Sequence, residues 1–222
     1  VELVGFTIQD GSGGIFINNS SPVIRNNTIC YNTTIGDNYY NGGGILIEGG
    51  KPSIVNNIIH SNSANGNNNN GDGGGIYLYT NDMSLLRGNK IINNYGRTSG
   101  GIYVHSFESK IQNNIIANNT AHYNHTYAGG GIKISGSSYK GHCNIINNTI
   151  VNNSQKGISG SSNFILINNI IYGNEESIYQ NIGGSWIAPV IFLNNNIEGG
   201  LYSPIGENDV DENNININPQ FI

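Results

Sequence analysis

Charge is scarce in this sequence, and basic charge most of all. Only 10% of its 222 residues are charged, with nine Lys and Arg against 14 Asp and Glu. Nucleic-acid binding requires clustered basic side chains that neutralise phosphates, so this composition excludes a nucleic-acid partner. No stretch approaches the roughly 18 consecutive apolar residues of a membrane-spanning helix, so no membrane span is expected.

Strong helix formers are also rare, whereas asparagine and glycine account for 42 and 32 residues. Ile is β-favouring and dominates the apolar positions, at regular spacings that a disordered polar chain would not keep. The composition therefore predicts a β-rich chain. The chain begins with Val1 and shows no signal-peptide pattern, so we expect a segment of a longer protein that forms one domain over residues 1–222.

Two sequence blocks repeat along the chain. A Gly-Ile step returns after 30, 31, 26, 30 and 26 residues, at Gly14, Gly44, Gly75, Gly101, Gly131 and Gly157. A second block, such as VIRNNTICYN or SIVNNIIHSN, carries an asparagine in every copy: Asn27, Asn57, Asn89, Asn114, Asn148, Asn169 and Asn195. Ile follows two residues later in each copy, and another asparagine column runs from Asn32 to Asn174. Periods of about 20 to 50 residues are typical of solenoids, propellers and arrays.

These columns predict the fold. Strand alternation places the isoleucines on one face, asparagine accepts the left-handed backbone of a bend, and stacked amides hydrogen-bond as a ladder. Glycine permits positive φ and close approach at the corner before the next strand. We predict an all-β chain that forms a single right-handed parallel β-helix solenoid of about seven coils, with asparagine and isoleucine ladders. A propeller would lack such single-residue columns.

The pattern GGGI…SP.I.NN.I..N covers nearly the whole chain and resembles right-handed parallel β-helix repeat proteins. That group includes pectate-lyase-like carbohydrate enzymes and many surface proteins. The C-terminal NININPQFI is similar to a segment near the end of many such domains, although Asn216 and Asn218 stand where acidic residues are usual. The resemblance implies the fold and an extracellular or cell-surface location, but this fold carries enzymes and non-enzymes alike.

The strand after each glycine corner carries the candidate ligand-binding residues. Alternation turns these side chains outward: Phe16, Glu48, Tyr77, Tyr79, Tyr103 and His105. Aromatic rings combine an apolar body with a polar tip, which suits sugar rings or a partner protein. A solvated β-face with scattered aromatic residues is the structural alternative.

Metal binding and glycosylation are also predicted. Asp37 and Asp72 lie in loops of successive coils, where carboxylates and loop carbonyls would suit calcium, and no other cofactor is expected. Sequons occur at Asn18, Asn19, Asn26, Asn32, Asn118, Asn124, Asn147 and Asn152. Cys30 and Cys143 fall four coils apart, about 19 Å along the axis, which excludes a disulfide between them.

The functional prediction depends on which catalytic groups the sequence lacks. The resemblance implies acidic calcium ligands with Arg or Lys in lyases, and glycosidases require paired carboxylates, but the sequence clusters neither set. We expect a secreted or cell-surface scaffold or adhesin, without catalysis in this segment, that contacts a polysaccharide or another surface protein. The alternative is a polysaccharide lyase, glycoside hydrolase or epimerase that acts near Glu48, Tyr79 and His105.

Open strand edges at the ends of a solenoid predict head-to-tail stacking of this chain into filaments. Electron micrographs of the concentrated protein should therefore show filaments that lengthen with concentration. Micrographs that show only monomers at high concentration would contradict this prediction.

Overall fold

The computed structural model describes residues 1–36, 41–66, 71–106, 108–123, 127–135, 142–160, 164–180, 191–199 and 210–220. These residues form 28 short strands, numbered β1 to β28 in chain order, and every strand pair is parallel. The strands make four sheets, named A to D below. Within these ranges no helix is long and apolar enough to cross a membrane.

Each sheet takes one strand from each successive coil. Sheet A contains β1 (Glu2–Val4), β4 (Val23–Arg25), β8 (Ser53–Val55), β12 (Leu85–Arg87), β16 (Lys110–Gln112), β20 (Cys143–Ile146), β23 (Phe164–Ile167), β26 (Ile191–Leu193) and β28 (Val210–Glu212). Sheet B contains β2 (Thr7–Gln9), β5 (Thr28–Cys30), β9 (Ile58–His60), β13 (Lys90–Ile92), β17 (Ile115–Ala117), β21 (Thr149–Val151), β24 (Ile170–Tyr172) and β27 (Asn196–Ile197).

The other two sheets complete the coils. Sheet C contains β3 (Ile15–Asn18), β7 (Ile45–Glu48), β11 (Ile76–Thr80), β15 (Ile102–Ser106), β19 (Ile132–Ile134), β22 (Lys156–Gly160) and β25 (Glu176–Gln180). Sheet D contains β6 (Thr33–Gly36), β10 (Ser63–Gly66), β14 (Tyr95–Gly96) and β18 (Thr120–Ala121). One coil therefore runs from sheet A to sheet B, through sheet D where it is present, and then to sheet C.

This path confirms the predicted parallel β-helix. The seven predicted repeats supply β4, β8, β12, β16, β20, β23 and β26 of sheet A, and β1 and β28 add one rung at each end. The inward side chains of sheets A, B and C form one stack of buried aliphatic residues, among them Ile54, Ile59 and Ile47, each with no exposed surface. The predicted isoleucine columns are this core.

The paired asparagines of each repeat have different structural roles. The first asparagine makes the bend: Asn26, Asn56 and Asn113 have φ between 54° and 57°. Gly88 replaces it in one repeat at φ 69°, which glycine adopts without a steric cost. The second asparagine points inward and cannot be exchanged in this way, because its side chain bonds to the coils on both sides.

Asn114 illustrates this ladder. Its Nδ2 and its backbone N–H both donate to Oδ1 of Asn148, each at 2.9 Å, and its Nδ2 also donates to the carbonyl of Leu86 at 3.0 Å. Its own Oδ1 accepts the backbone N–H and Nδ2 of Asn89, at 2.9 and 3.0 Å. Only 1% of Asn114 is exposed, so these bonds lie in a region of low dielectric where an unpaired group would be costly.

A second ladder repeats this bonding at the next bend. It is formed by the other asparagine column: Asn32, Asn62, Asn94, Asn119, Asn153 and Asn174. Its members are also buried, and the residue before each one has positive φ, for example Tyr31 and Asn93. Each coil of the central repeats is therefore attached to its neighbours by two amide ladders as well as by its strands.

The glycine corners are explained mainly by close approach. A Cβ on Gly75, the third glycine of its triplet, would lie 2.8 Å from the carbonyl oxygen of Gly101 and 2.9 Å from Cγ2 of Ile91. Positive φ, which was also predicted, is found at the first glycine of two triplets, with φ 68° at Gly42 and 69° at Gly73. The third glycine recurs because only a residue without a side chain fits beneath the next coil.

The cysteines are free and buried, in agreement with the predicted absence of a disulfide between them. Burial raises the pKa of the Cys143 thiol to about 12, so this thiol stays protonated at neutral pH.

Replacing Asn114 with Ala should destabilise the fold by roughly 3 kcal/mol or more, because buried groups of Asn89, Asn148 and Leu86 each lose a partner. The control is Asn113→Gly, at the exposed bend position, which should cost less than about 1 kcal/mol. Urea denaturation followed by circular dichroism measures both values. Equal stability of the two variants would show that the ladder is not a major source of stability.

Candidate functional site

Sheet C places the predicted ligand-binding residues in two outward columns. The strands β3, β7, β11, β15 and β19 pair in register. The first column contains Phe16, Leu46, Tyr77, Tyr103 and Lys133. The second column contains Asn18, Glu48, Tyr79 and His105. Both columns were predicted from alternation, and their register now shows which side chains are neighbours.

In the first column, the faces of the tyrosine rings are occupied by protein atoms. The rings of Tyr77 and Tyr103 stack with their centroids 4.8 Å apart and their planes 6° from parallel. Nζ of Lys133 lies 5.5 Å from the Tyr103 centroid, on the following coil. Burial raises the pKa of both phenols, so both stay protonated at neutral pH. Both faces of Tyr103 thus have protein neighbours, which leaves little of this ring for a sugar.

Lys133 belongs to a hydrogen-bonded chain that connects three coils. Its Nζ donates to Oγ1 of Thr98 at 2.7 Å, and this hydroxyl donates to Oδ1 of Asp72 at 2.6 Å. The backbone N–H of Thr98 donates to the same carboxylate oxygen at 2.9 Å. Burial lowers the pKa of Lys133, and the nearby Asp72 carboxylate partly opposes that shift. These hydrogen bonds connect the corners before strands β11 and β15 to strand β19.

The calcium site predicted at Asp37 and Asp72 stays a prediction. Asp37 lies outside the described residues, and Oδ1 of Asp72 already accepts two hydrogen bonds from Thr98. Among the described residues, no group of three or more His, Cys, Asp or Glu side chains is placed to hold a metal ion.

In the second column, one ring face opens into a cleft. The rings of Tyr79 and His105 stack with their centroids 4.8 Å apart and their planes 26° from parallel. Glu48 is the neighbour of Tyr79 on the preceding coil, so the face of Tyr79 that points away from His105 is directed toward Glu48. There lies a cleft of about 420 Å³, lined by Asn18, Asn19, Glu48, Gly49, Tyr79, Thr80 and Asn81. Tyr79 is 48% exposed.

The polar groups of the cleft differ in how many hydrogen bonds they already make within the protein. Oγ1 of Thr80 donates to the Gly50 carbonyl at 2.9 Å and accepts the N–H of Asp82 at 3.0 Å. Nδ2 of Asn19 donates to Oδ1 of Asn18 at 2.9 Å. The exposed Glu48 carboxylate has no hydrogen bond or ion pair with any described residue. A ligand in the cleft would therefore meet an aromatic face, a carboxylate and side-chain amides.

Two consecutive glycines shape the floor of the cleft. Gly49 and Gly50 follow β7 with φ 80° and 83°. A Cβ on Gly49 would lie 2.3 Å from Oδ1 of Asn19, and one on Gly50 would lie 2.0 Å from the carbonyl oxygen of Ser20. These glycines bring the loops after β3 and β7 into contact. Sequence reasoning missed this role, although a Gly-Gly pair directly after a strand was a visible signal.

The six predicted binding residues therefore separate into three groups. Glu48 and Tyr79 line the cleft, and His105 supports the Tyr79 ring from behind. Tyr77 and Tyr103 pack on each other in the adjacent column. Phe16 is 60% exposed and borders a separate depression of about 190 Å³.

The candidate glycosylation sites also differ in accessibility. Exposed side chains at the two bends are those of Asn26, Asn118, Asn147 and Asn152. Asn18 and Asn19 are exposed but line the cleft, so a glycan on either would cover it. Asn32 is fully buried in the second ladder, where a glycan cannot be accommodated in the folded chain, and Asn124 lies outside the described residues.

A comparison with known protein families agrees with this architecture. The family model described as a right-handed beta helix region matches residues 1–171. No solved structure matches the chain.

Stability should depend on the ionisation of His105. Burial lowers its pKa below the ordinary value of about 6.5, so the folded chain favours the neutral imidazole. The unfolded chain consequently binds more protons as the pH falls below about 6.5, and the stability present above that pH is progressively lost. Between pH about 7.5 and about 5.5, the unfolding free energy should fall more for wild type than for His105→Phe, which keeps the ring stack but cannot titrate. Parallel pH profiles of the two proteins would contradict this prediction.

Proposed function

Because the chain belongs to the right-handed β-helix family, we propose that it is an extracellular, non-catalytic scaffold that binds polysaccharide in the Tyr79 cleft. The observation that supports this proposal most is the position of the Tyr79 ring. One face rests on His105, and the opposite face borders a cleft that contains a carboxylate and several amides.

This arrangement matches the chemistry of a sugar ring. The apolar C–H face of a sugar packs on an aromatic face, while its hydroxyl groups need hydrogen-bond partners around the rim. Tyr79 supplies the apolar face, and Asn18, Asn19 and Asn81 supply amide groups within the same cleft. The cleft volume of about 420 Å³ falls within the roughly 300 to 1,000 Å³ that is usual for small-molecule sites.

Tyr79 should lose little conformational entropy when a ligand binds, because the fold already holds its side chain. Its strand β11 pairs with β7 on one side and β15 on the other, and its ring is already stacked on His105. A side chain held in this way loses little rotamer freedom when a ligand binds, which favours affinity. A rigid sheet face of this kind is also suited to a scaffold, because the same geometry is repeated along the solenoid.

The exposed sequons support an extracellular location. Asn26 and Asn147 lie at the bend between sheets A and B, and Asn118 and Asn152 lie at the bend after sheet B. Glycans on these residues would project from the corner between sheets A and B and from the corner after sheet B. The cleft lies at a different corner, at the C-terminal ends of the sheet C strands. Glycosylation at these bends would therefore be compatible with ligand binding on sheet C.

A catalytic function receives less support from the cleft. Its lining contains one carboxylate, that of Glu48, whereas glycoside hydrolysis ordinarily uses a pair. His105 contributes a ring behind Tyr79, with Tyr79 between its stacked face and the cleft. The alternative that the chain is a lyase, hydrolase or epimerase is tested by looking for chemical change in the bound polysaccharide.

Tyr79→Ala should weaken polysaccharide binding by about fivefold to tenfold, since an aromatic contact contributes roughly 1 kcal/mol. A glycan array identifies ligands of the wild type, and isothermal titration calorimetry measures their affinity for each variant. The matched control is Tyr77→Ala, which removes the same side chain from the same strand outside the cleft.

Affinity that is unchanged in Tyr79→Ala, or lost equally in a folded Tyr77→Ala, would contradict the proposed site. Mass spectrometry of the polymers after incubation separates binding from catalysis. Shortened or unsaturated products would show that the chain is an enzyme, whereas intact polymers are expected from a scaffold.

A further inference from the structure

We propose that the Tyr79 cleft selects a polysaccharide whose sugar units carry protonated amines, such as β-1,4-linked glucosamine, over neutral and acidic polymers. The inference rests on the proposed polysaccharide binding and adds the charge of the ligand. It follows from the position of Glu48 beside the open face of Tyr79.

Glu48 is the only charged side chain that lines the cleft, within the part of the chain that the structure describes. It stands in register with Tyr79 on the neighbouring strand, so its carboxylate and the open ring face border the same space. No described residue donates a hydrogen bond to this carboxylate or forms an ion pair with it. The cleft therefore carries one negative charge that its own lining does not compensate.

The neighbouring basic side chains Lys51, Lys133 and His105 do not neutralise the negative charge of Glu48. Lys51, three residues after Glu48, forms an ion pair with Asp82, whose carboxylate oxygen lies 3.6 Å from its Nζ. Lys133, in the adjacent column, donates to Thr98. His105 lies behind Tyr79, and burial lowers its pKa and so favours the neutral imidazole.

The open ring face strengthens the preference for a cation. The face of an aromatic ring carries negative potential and attracts ammonium groups within about 6 Å of its centroid. An ammonium group in this cleft would meet both the face of Tyr79 and the carboxylate of Glu48. A carboxylated sugar would be repelled by Glu48, and a neutral sugar would partly desolvate that carboxylate without pairing it.

The amides of the cleft favour a sugar over a lysine side chain as the source of the ammonium group. Asn18, Asn19 and Asn81 present carbonyl oxygens and NH₂ groups around the ring. Sugar hydroxyls can both donate to and accept from such amides. The alkyl stem of a lysine would leave these groups unpaired, so a hydroxylated ring with an amine fits the lining better.

The test compares three hexasaccharides by isothermal titration calorimetry at pH 6: β-1,4-glucosamine, its N-acetylated counterpart and galacturonate. Wild type should bind the glucosamine hexamer about fivefold tighter than the N-acetylated one, and added salt should reduce this difference, because the ion pair is exposed. Glu48→Gln should remove most of the preference, the remainder coming from attraction of the ammonium group to the Tyr79 face, and should bind the N-acetylated hexamer no more weakly than wild type does. Glu108→Gln, which removes an exposed negative charge outside the cleft, should behave as wild type.

The remaining outcomes separate this inference from the proposed function. If wild type and Glu48→Gln bind all three hexamers alike, and Tyr79→Ala weakens them all, the cleft binds polysaccharide and the charge preference is refuted. If trilysine competes as well as the glucosamine hexamer, the preference for a sugar is refuted. If Tyr79→Ala changes no affinity, the proposed function fails and the inference fails with it.

Discussion

The hydrogen bonds between ladder asparagines are the interactions on which the rest of this structure depends. Within the ladders, an asparagine such as Asn114 donates its backbone N–H and its Nδ2 to Asn148 on the next coil, and its Nδ2 also donates to the carbonyl of Leu86 on the preceding coil. Because these groups are buried, a slipped coil would leave several of them unpaired. The ladders therefore favour a single register between successive coils, more specifically than the aliphatic core could.

A single register turns a repeated sequence into aligned surface columns. On sheet C, a side chain at one position of a coil stacks on the side chain at the same position of the next, at the strand spacing of about 4.8 Å. Where neighbours are both aromatic, as with Tyr77 and Tyr103, the rings cover each other. Where the aromatic column ends, as between Tyr79 and Glu48, one ring face stays open. The cleft is thus a consequence of a change of residue type within an ordered column.

The fold could be predicted from the sequence because the ladder imposes the same residues on every coil. The two asparagine columns, the inward isoleucines and the close-packed glycines are all visible as repeats. The last rung was missed, although Asn214 extends the first ladder, because Asp211 replaces the apolar residue that marks the other copies. The different roles of the two paired asparagines were also not separated, since both residue positions are usually asparagine.

The candidate site was predictable only in part. Alternation correctly turned Tyr77 and Tyr79 outward on different columns, but it could not show which ring keeps an open face. That difference depends on contacts between coils: Tyr103 and Lys133 extend one column, and Glu48 ends the other. The cleft floor depends on Gly49 and Gly50 approaching Asn19 and Ser20, which lie about 30 residues earlier in the sequence.

A crystal structure of the chain with a glucosamine hexamer would test most directly whether this register creates a sugar site. We expect one sugar ring to pack on the face of Tyr79 opposite His105, with its amine about 3 Å from the Glu48 carboxylate. A hexamer bound against Tyr77 and Tyr103, or on another sheet with the Tyr79 face left uncovered, would contradict that expectation.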